Sequence, residues 1–126
     1  VHLDIADDLP PALLDPVMIE QVIANLCKNA IEAMSNTPPG ERHLRVSVEL
    51  DHERRIRVSV SDNGPGLTLE ETQRLFTPLY STKSPGMGIG LAISRSIIEF
   101  HDGTLFVEPG EERGAVFRFT LPTTEQ

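Results

Sequence analysis

The chain has 126 residues, 39% of them apolar and 24% charged, with 11 basic against 19 acidic side chains for a formal net charge of -8. That suffices for one domain with a real core and argues against a general binder of nucleic acid or of anionic membranes, although a local basic site can still hold phosphate. The single cysteine, Cys27, excludes an internal disulfide framework and a Cys-rich metal site, and no run approaches the roughly 20 apolar residues that cross a bilayer.

In chain order, residues 1 to 6 ("VHLDIA") read as a strand, and because the chain opens on Val1 inside it, the sequence is expected to be a piece of a longer protein. "DDLPPALLDP" is a linker, since three prolines in ten residues forbid regular structure. Asp15 can cap a helix with Pro16 at its first position, and the apolar spacing carries that helix to about Met34. "SNTPPGER" is a loop. Strands follow near 43–50 and 54–61, joined by the polar turn Asp51-His52-Glu53. A short helix near 69–75 leads into the irregular segment "FTPLYSTKSPGMGIG". A helix begins near Gly88 and ends near His101, where Asp102-Gly103 is its stop. The last strands lie near 104–108 and 115–121. This order predicts a two-layer α/β fold, a mixed and mostly antiparallel sheet with three helices on one face. The missing βαβ alternation excludes a doubly wound sheet.

Three stretches carry chemistry. In "IEQVIANLCKNAIEAM", at about 100° per residue, Asn25, Lys28, Asn29 and Glu32 form one narrow stripe, while apolar residues fill most of the rest. An ordinary solvated face is one reading. Against it, two asparagines one turn apart are poor helix formers. Side chains at i and i+4 stack, so their amide oxygens can coordinate or orient a small cation or its water, with Lys28 as a point charge for phosphate.

The second stretch is "SDNGPGL", residues 61–67, which follows the alternating run Ile56 to Val60. A hairpin turn explains Asn63-Gly64 but not Gly66 as well. The third, "SPGMGIGLAIS", sets Gly86, Gly88 and Gly90 where a helix starts, with Ser81, Thr82 and Lys83 upstream. Glycines there let backbone N–H groups approach an anion. A flexible hinge before a helix is the plain alternative. The trio is neither a dinucleotide fingerprint nor a Walker A loop.

Together and in this order, "NLCKNAIEAM", "DNGPGL", "FTPLYSTK" and "GMGIGLAIS" resemble the N box, first glycine box, F box and second glycine box of the ATP-binding domain of sensor histidine kinases. The resemblance runs from about Val1 to Pro122. That domain shares its superfamily with gyrase, a heat-shock chaperone and the mismatch-repair clamps. The compact "NAIEAM" and "PLYSTKSPGMGIGL" forms look most like the nitrogen- and oxygen-sensing kinases, with a short lid.

The resemblance implies a Bergerat-type ATP-binding fold, ATP and Mg2+ as ligands, and a role for each matched residue. Asp62 accepts from the adenine amino group, Gly64 and Gly66 leave room for the base, and Leu67 lies beside it. Asn29 holds Mg2+, which suits an ion that prefers oxygen and keeps several waters. Lys28, Glu32 and Ala33 line the phosphate, ribose and base regions. Residues 77 to 87 form the lid, which Phe76 anchors. Thr82 and Lys83 reach the terminal phosphates, and the backbone of Gly86, Met87, Gly88, Ile89, Gly90 and Leu91 cradles them. Two departures stand out. The last glycine box is Gly114-Ala115-Val116-Phe117, so a nucleotide-facing hydroxyl is missing at Val116, and "FHDG" replaces the commoner His-Gly-Gly.

The reaction implied is phosphoryl transfer, with Asn25, Lys28 and Lys83 in the catalytic set. Hydrolysing members of the superfamily carry Glu where this chain has Asn25. An amide is no general base, so hydrolysis by this domain alone is expected to be slow. His2, His43, His52 and His101 do not fit a phosphoacceptor; His101 ends a helix, where its charge would suit the dipole. The resemblance implies that the acceptor histidine is on a separate dimerisation hairpin of the parent chain, with a response regulator downstream; no nucleic acid is expected. The fragment is expected to be monomeric and the parent cytoplasmic, either soluble or anchored at the cytoplasmic face of the inner membrane. Two other readings share the residues: a stand-alone serine kinase of the anti-sigma-factor type, and a non-catalytic nucleotide-binding interaction module.

Overall fold

The structure, a computed structural model, describes residues 2–6, 9, 12–74, 87–110 and 113–123. Five strands form one sheet: β1 (His2–Ile5), β2 (Arg45–Leu50), β3 (Ile56–Ser61), β4 (Thr104–Pro109) and β5 (Ala115–Leu121), in the order β1-β2-β3-β5-β4. β1 runs parallel to β2, and every other pair is antiparallel. The sheet is mixed and mostly antiparallel, as the sequence predicts.

Helix α1 (Pro16–Ala33) starts where its capping chemistry places it: the Asp15 carboxylate accepts from the backbone N–H groups of Val17 at 3.0 Å and Met18 at 3.2 Å. Its apolar stripe, Ile19, Val22, Leu26 and Ala30, is buried. Helix α3 (Met87–Phe100) lies against α1 and buries Leu91, Ile97 and Ile98. Both pack on the inward residues of the sheet, with Val58, Val60, Leu105, Phe117 and Phe119 in the same core. The short helix α2 (Leu69–Arg74) follows β3 and borders a pocket whose far wall is the β4–β5 end of the sheet. Period-2 alternation sends Ser47, Ser59 and Arg118, which stand side by side on β2, β3 and β5, to the opposite face. There Arg57 pairs with Glu49 at 2.7 Å and Arg118 with Glu108 at 3.0 Å.

Two expectations change. Strands β2 and β3 begin two residues later than the alternation suggests, at Arg45 and Ile56. The turn between them occupies Asp51 to Arg55, with Arg54 in the left-handed region (φ 62°) and the Asp51 carboxylate accepting from the N–H groups of Glu53 and Arg55, each at 2.9 Å. The second change is His101. Its Nε2 accepts from the Asp15 backbone N–H, and its Nδ1 faces the Ile97 carbonyl. A carbonyl only accepts, so the proton sits on Nδ1 and the ring is neutral. The helix end is therefore not served by a histidine charge. Among the described residues, no helix is long and apolar enough to cross a membrane.

Candidate functional site

Asp62 stands at the end of β3, the central strand, and is buried at 6% exposure. Its backbone N–H donates to the Ala115 carbonyl at 3.1 Å, which ties it to β5. Its side-chain Oδ1 accepts from the Gly64 N–H at 2.9 Å, closing an Asx turn that orients the carboxylate. The neighbouring Asn63 serves another purpose. Its Oδ1 accepts from the His43 N–H at 2.9 Å and its Nδ2 donates to the Glu41 carbonyl at 2.6 Å, which fastens the loop before β2 to the turn.

The glycines of this turn are there because other backbone comes close. A Cβ on Gly64 would sit 2.6 Å from the Ala33 carbonyl oxygen at the end of α1. Gly114, at φ +85°, would place a Cβ 2.0 Å from the Asp62 carbonyl oxygen. Gly66, also at positive φ, approaches the Gly114 carbonyl. Arg113 adds a clamp, its Nε donating to the Gly64 carbonyl at 3.1 Å. The end of α1, the Asp62 turn and the β4–β5 turn thus meet at one corner of the sheet, with Leu67 against the core beside it.

On α1 the polar stripe divides. Lys28 is exposed, Glu32 and Ala33 are half-buried, and the Ala33 carbonyl lies against Gly64. Asn29 is buried at 8% exposure, and its Nδ2 has no hydrogen-bond partner among the described residues. A buried amide left in that state asks for a ligand or water. Asn25 instead reaches across to α3, with Nδ2 3.1 Å from Ser94 Oγ and 3.5 Å from the Gly90 carbonyl. Cys27, on the same helix, is half-buried, and burial pushes its thiol up, so it offers no thiolate.

At the other side, Met87, Gly88, Ile89 and Gly90 form the first turn of α3, whose leading N–H groups lack partners within the helix. Leu91 joins them through its backbone alone, because its side chain is in the core at 1% exposure. Thr82, Lys83 and Gly86, with Phe76 and the lid up to residue 86, lie outside the described residues.

One assigned residue is on the wrong side. Val116 pairs with Ser61 and Glu108 and lines the trough on the sheet face away from the helices, with Ser59 and Arg118. Strand alternation gives the helix-side place to its neighbour Ala115, which is in the core cluster and bonded to Asp62. Val116 therefore stands on the far face of the sheet, in a trough that also reaches Asp62, and the helix-side position is Ala115. Sequence reading also missed Arg113 and Ser94. Nothing marks Arg113 in advance, but Ser94 carries a signal, a polar residue on the apolar stripe of α3.

The corner suits a nucleotide with Mg2+. It offers a buried carboxylate acceptor, a glycine turn packed closely on α1 and the β4–β5 turn, an Asn29 NH2 group left without a partner that can donate to a phosphate oxygen or water, and a helix N-terminus for anions. Among the described residues, no three His, Cys, Asp or Glu side chains stand close enough to hold a metal by themselves, so the ion would take much of its shell from phosphate and water.

Residues 14–125 match the model of the family described as histidine kinase-, DNA gyrase B-, and HSP90-like ATPase. Sporulation kinase E of Bacillus subtilis (strain 168) is 38% identical over 125 residues, 99% of this chain and 16% of the relative. Sensor protein FixL of Bradyrhizobium diazoefficiens is 44% identical over 124 residues, 98% of this chain and 24% of the relative. The chain thus spans a quarter or less of these two relatives. Among solved structures, the nucleotide-free catalytic domain of histidine kinase ThkA superposes with a TM-score of 0.78 at 35% identity, covering 96% of this chain and 79% of that one. The same kinase in complex with the response regulator protein TrrA gives 0.76 at 35% identity, covering 97% of this chain and 33% of that one.

Proposed function

The chain belongs to the histidine kinase-, DNA gyrase B- and HSP90-like ATPase family, and from that premise we propose that it binds ATP with Mg2+ and holds the γ-phosphate for transfer to a histidine on a separate phosphoacceptor domain. The observation that carries this reading is Asp62, a buried carboxylate turned by the Gly64 N–H at the corner where α1, β3 and β5 meet. A carboxylate has lone pairs beyond the one the Gly64 N–H takes, and the amino group of adenine is a donor that suits a buried acceptor.

The other roles follow from the match of the four boxes to those of the family. Gly64, Gly66 and Leu67 shape the base pocket, with Ala33 at its wall. Glu32 and Lys28 face ribose and phosphate. Asn29 presents its amide to the metal, and the backbone of residues 86 to 91 receives the phosphates, with Thr82 and Lys83 reaching the terminal one. Bound Mg2+ neutralises phosphate charge and helps orient the terminal group. Asn25 brings an amide where a base would be needed to activate water, and its nitrogen is bonded to α3. Hydrolysis by the chain alone is therefore slow, and the bound nucleotide persists until a nucleophile is brought to it. That nucleophile and the response regulator beyond it belong to other domains and proteins; the relatives named as a sporulation kinase and a sensor protein, and ThkA bound to TrrA, support this division of labour.

The test is calorimetric binding of a non-hydrolysable ATP analogue, with and without Mg2+, to wild type, Asp62→Asn and Asn29→Asp. Asp62→Asn should bind about tenfold more weakly, a change of about 1.4 kcal/mol, or worse. Asn29→Asp should alter the Mg2+ dependence. No binding by the wild type at millimolar nucleotide rejects the proposal.

A further inference from the structure

Ser94 lies in the middle of α3 with none of its surface exposed. Leu91, Ile97 and Ile98, its neighbours on the buried stripe of the helix, are core residues. A hydroxyl in such surroundings is costly unless it is hydrogen-bonded. Its partner is on the other helix, Asn25 Nδ2, at 3.1 Å.

The geometry of Asn25 gives this pair a consequence beyond packing. The same Nδ2 lies 3.5 Å from the Gly90 carbonyl oxygen. A carbonyl can only accept, so the NH2 end of the Asn25 amide faces α3. The amide is planar, so Oδ1 points away from α3. Asn25 stands one turn before Asn29 on α1, where side chains at i and i+4 lie one above the other. The long contact to Gly90 is weak by itself, so Ser94 Oγ is the shorter of the two restraints that hold this orientation.

We propose that Ser94 is a positioning residue. It holds Asn25 so that an acceptor oxygen, and not an NH2 group, is presented beside the metal-facing amide of Asn29. The assignment rests on the ATP–Mg2+ reading and deepens it. Ser94 touches neither nucleotide nor metal; it acts through Asn25, as outer-shell partners orient the groups that face an ion. Without the hydroxyl, the amide can rotate and offer its NH2 to the site, where a donor opposes a cation.

The experiment is calorimetric titration of AMP-PNP at a series of Mg2+ concentrations, on wild type, Ser94→Ala, Asn25→Ala and the double variant, with thermal unfolding of each. Ser94→Ala should raise the Mg2+ concentration for half-maximal enhancement of affinity by on the order of tenfold and leave Mg2+-free affinity unchanged. The double variant should be no worse than Asn25→Ala on this readout, since the two act as one unit. Should Ser94→Ala not fold, Ser94→Cys, of similar size and weaker as an acceptor, carries the same comparison. A role in packing alone would lower thermal stability while leaving the Mg2+ dependence where it was, and that result overturns the assignment. So does additivity in the double variant. Wild type that binds no nucleotide overturns the ATP reading and this assignment with it; wild type that binds, with an unaltered Mg2+ response in Ser94→Ala, overturns this assignment alone.

Discussion

Nε2 of His101 accepts a hydrogen bond from the backbone N–H of Asp15 at 3.0 Å, while Nδ1 of the same ring sits 2.8 Å from the Ile97 carbonyl oxygen. One neutral imidazole thus joins the last turn of α3 to the N-cap of α1, and it satisfies a backbone group at each end. The link lies at the opposite end of both helices from the residues assigned to nucleotide. His101→Ala removes an acceptor and a donor together. It should cost about 1–2 kcal/mol of stability, read by urea denaturation, with analogue binding unchanged. A variant as stable as wild type would show that water replaces the ring without loss.

Gly64 and Gly40 make opposite predictions from the same substitution. A methyl at Gly64 meets the Ala33 carbonyl oxygen at 2.6 Å, backbone that cannot step aside without moving the end of α1. A methyl at Gly40 meets nothing within 4 Å. Gly64→Ala should destabilise by about 1–3 kcal/mol and weaken nucleotide binding, because Asp62 takes its orientation from the Gly64 N–H. Gly40→Ala should stay within about 0.5 kcal/mol of wild type. Equal melting temperatures for the two variants would contradict the close approach of turn and helix.

The elements and the site were legible to different degrees, for physical reasons. Helix α1 was readable because its cap, its proline and its stripe of Ile19, Val22, Leu26 and Ala30 all agree. The end of the N box and the first glycine box meet at one corner of the sheet, and were readable because glycine and Asp-Asn chemistry is local. What is not local was hidden. Sheet order and the parallel pairing of β1 with β2 depend on contacts far apart in the chain. Val116 was put on the nucleotide side because a motif says which residues are present and not which face they take; a shift of one residue along a strand exchanges faces. The start of β3 slipped because Asp51 extends its turn through side-chain bonds that alternation does not register, and that of β2 because the His43 N–H is taken by Asn63 Oδ1. Ser94 was visible as a polar residue in an apolar stripe, but its meaning came only with Asn25 on the other helix.

The departure "FHDG" has a structural reading. Asp102 takes the left-handed conformation, φ 62°, that ends α3, and the Gly103 N–H returns to the Ile98 carbonyl at 2.9 Å. Gly103 cannot be exchanged, because a Cβ there would lie 1.9 Å from the Thr120 carbonyl oxygen. Asp102 is exposed and tolerates its backbone at some cost. Asp102→Gly, which restores the commoner glycine, should therefore stabilise the protein by roughly 0.5–1 kcal/mol, seen as a higher midpoint in denaturant with an unchanged slope. A lower midpoint would mean that the Asp102 side chain contributes more than its backbone strain costs.

The hairpin turn between β2 and β3 gives a pH dependence with a definite sign. Partial burial works to raise the Asp51 carboxyl, but the N–H groups of Arg55 and Glu53, and then the charges of Arg55 and His52, together outweigh it and hold the group below the ordinary carboxylate range. A carboxyl depressed in the folded state stabilises fully above its unfolded pKa, and that stabilisation is lost as pH falls through the lower folded value. The turn is near the surface, so solvent screening keeps the contribution under about 1 kcal/mol. Asp51→Asn keeps an oxygen to accept the two N–H bonds but cannot ionise. Wild type should therefore be the more stable protein near neutrality, and the gap between the two unfolding midpoints should narrow as pH falls through the acid range. A gap independent of pH would show that the Asp51 charge contributes nothing, and that the turn is held by its oxygen geometry alone.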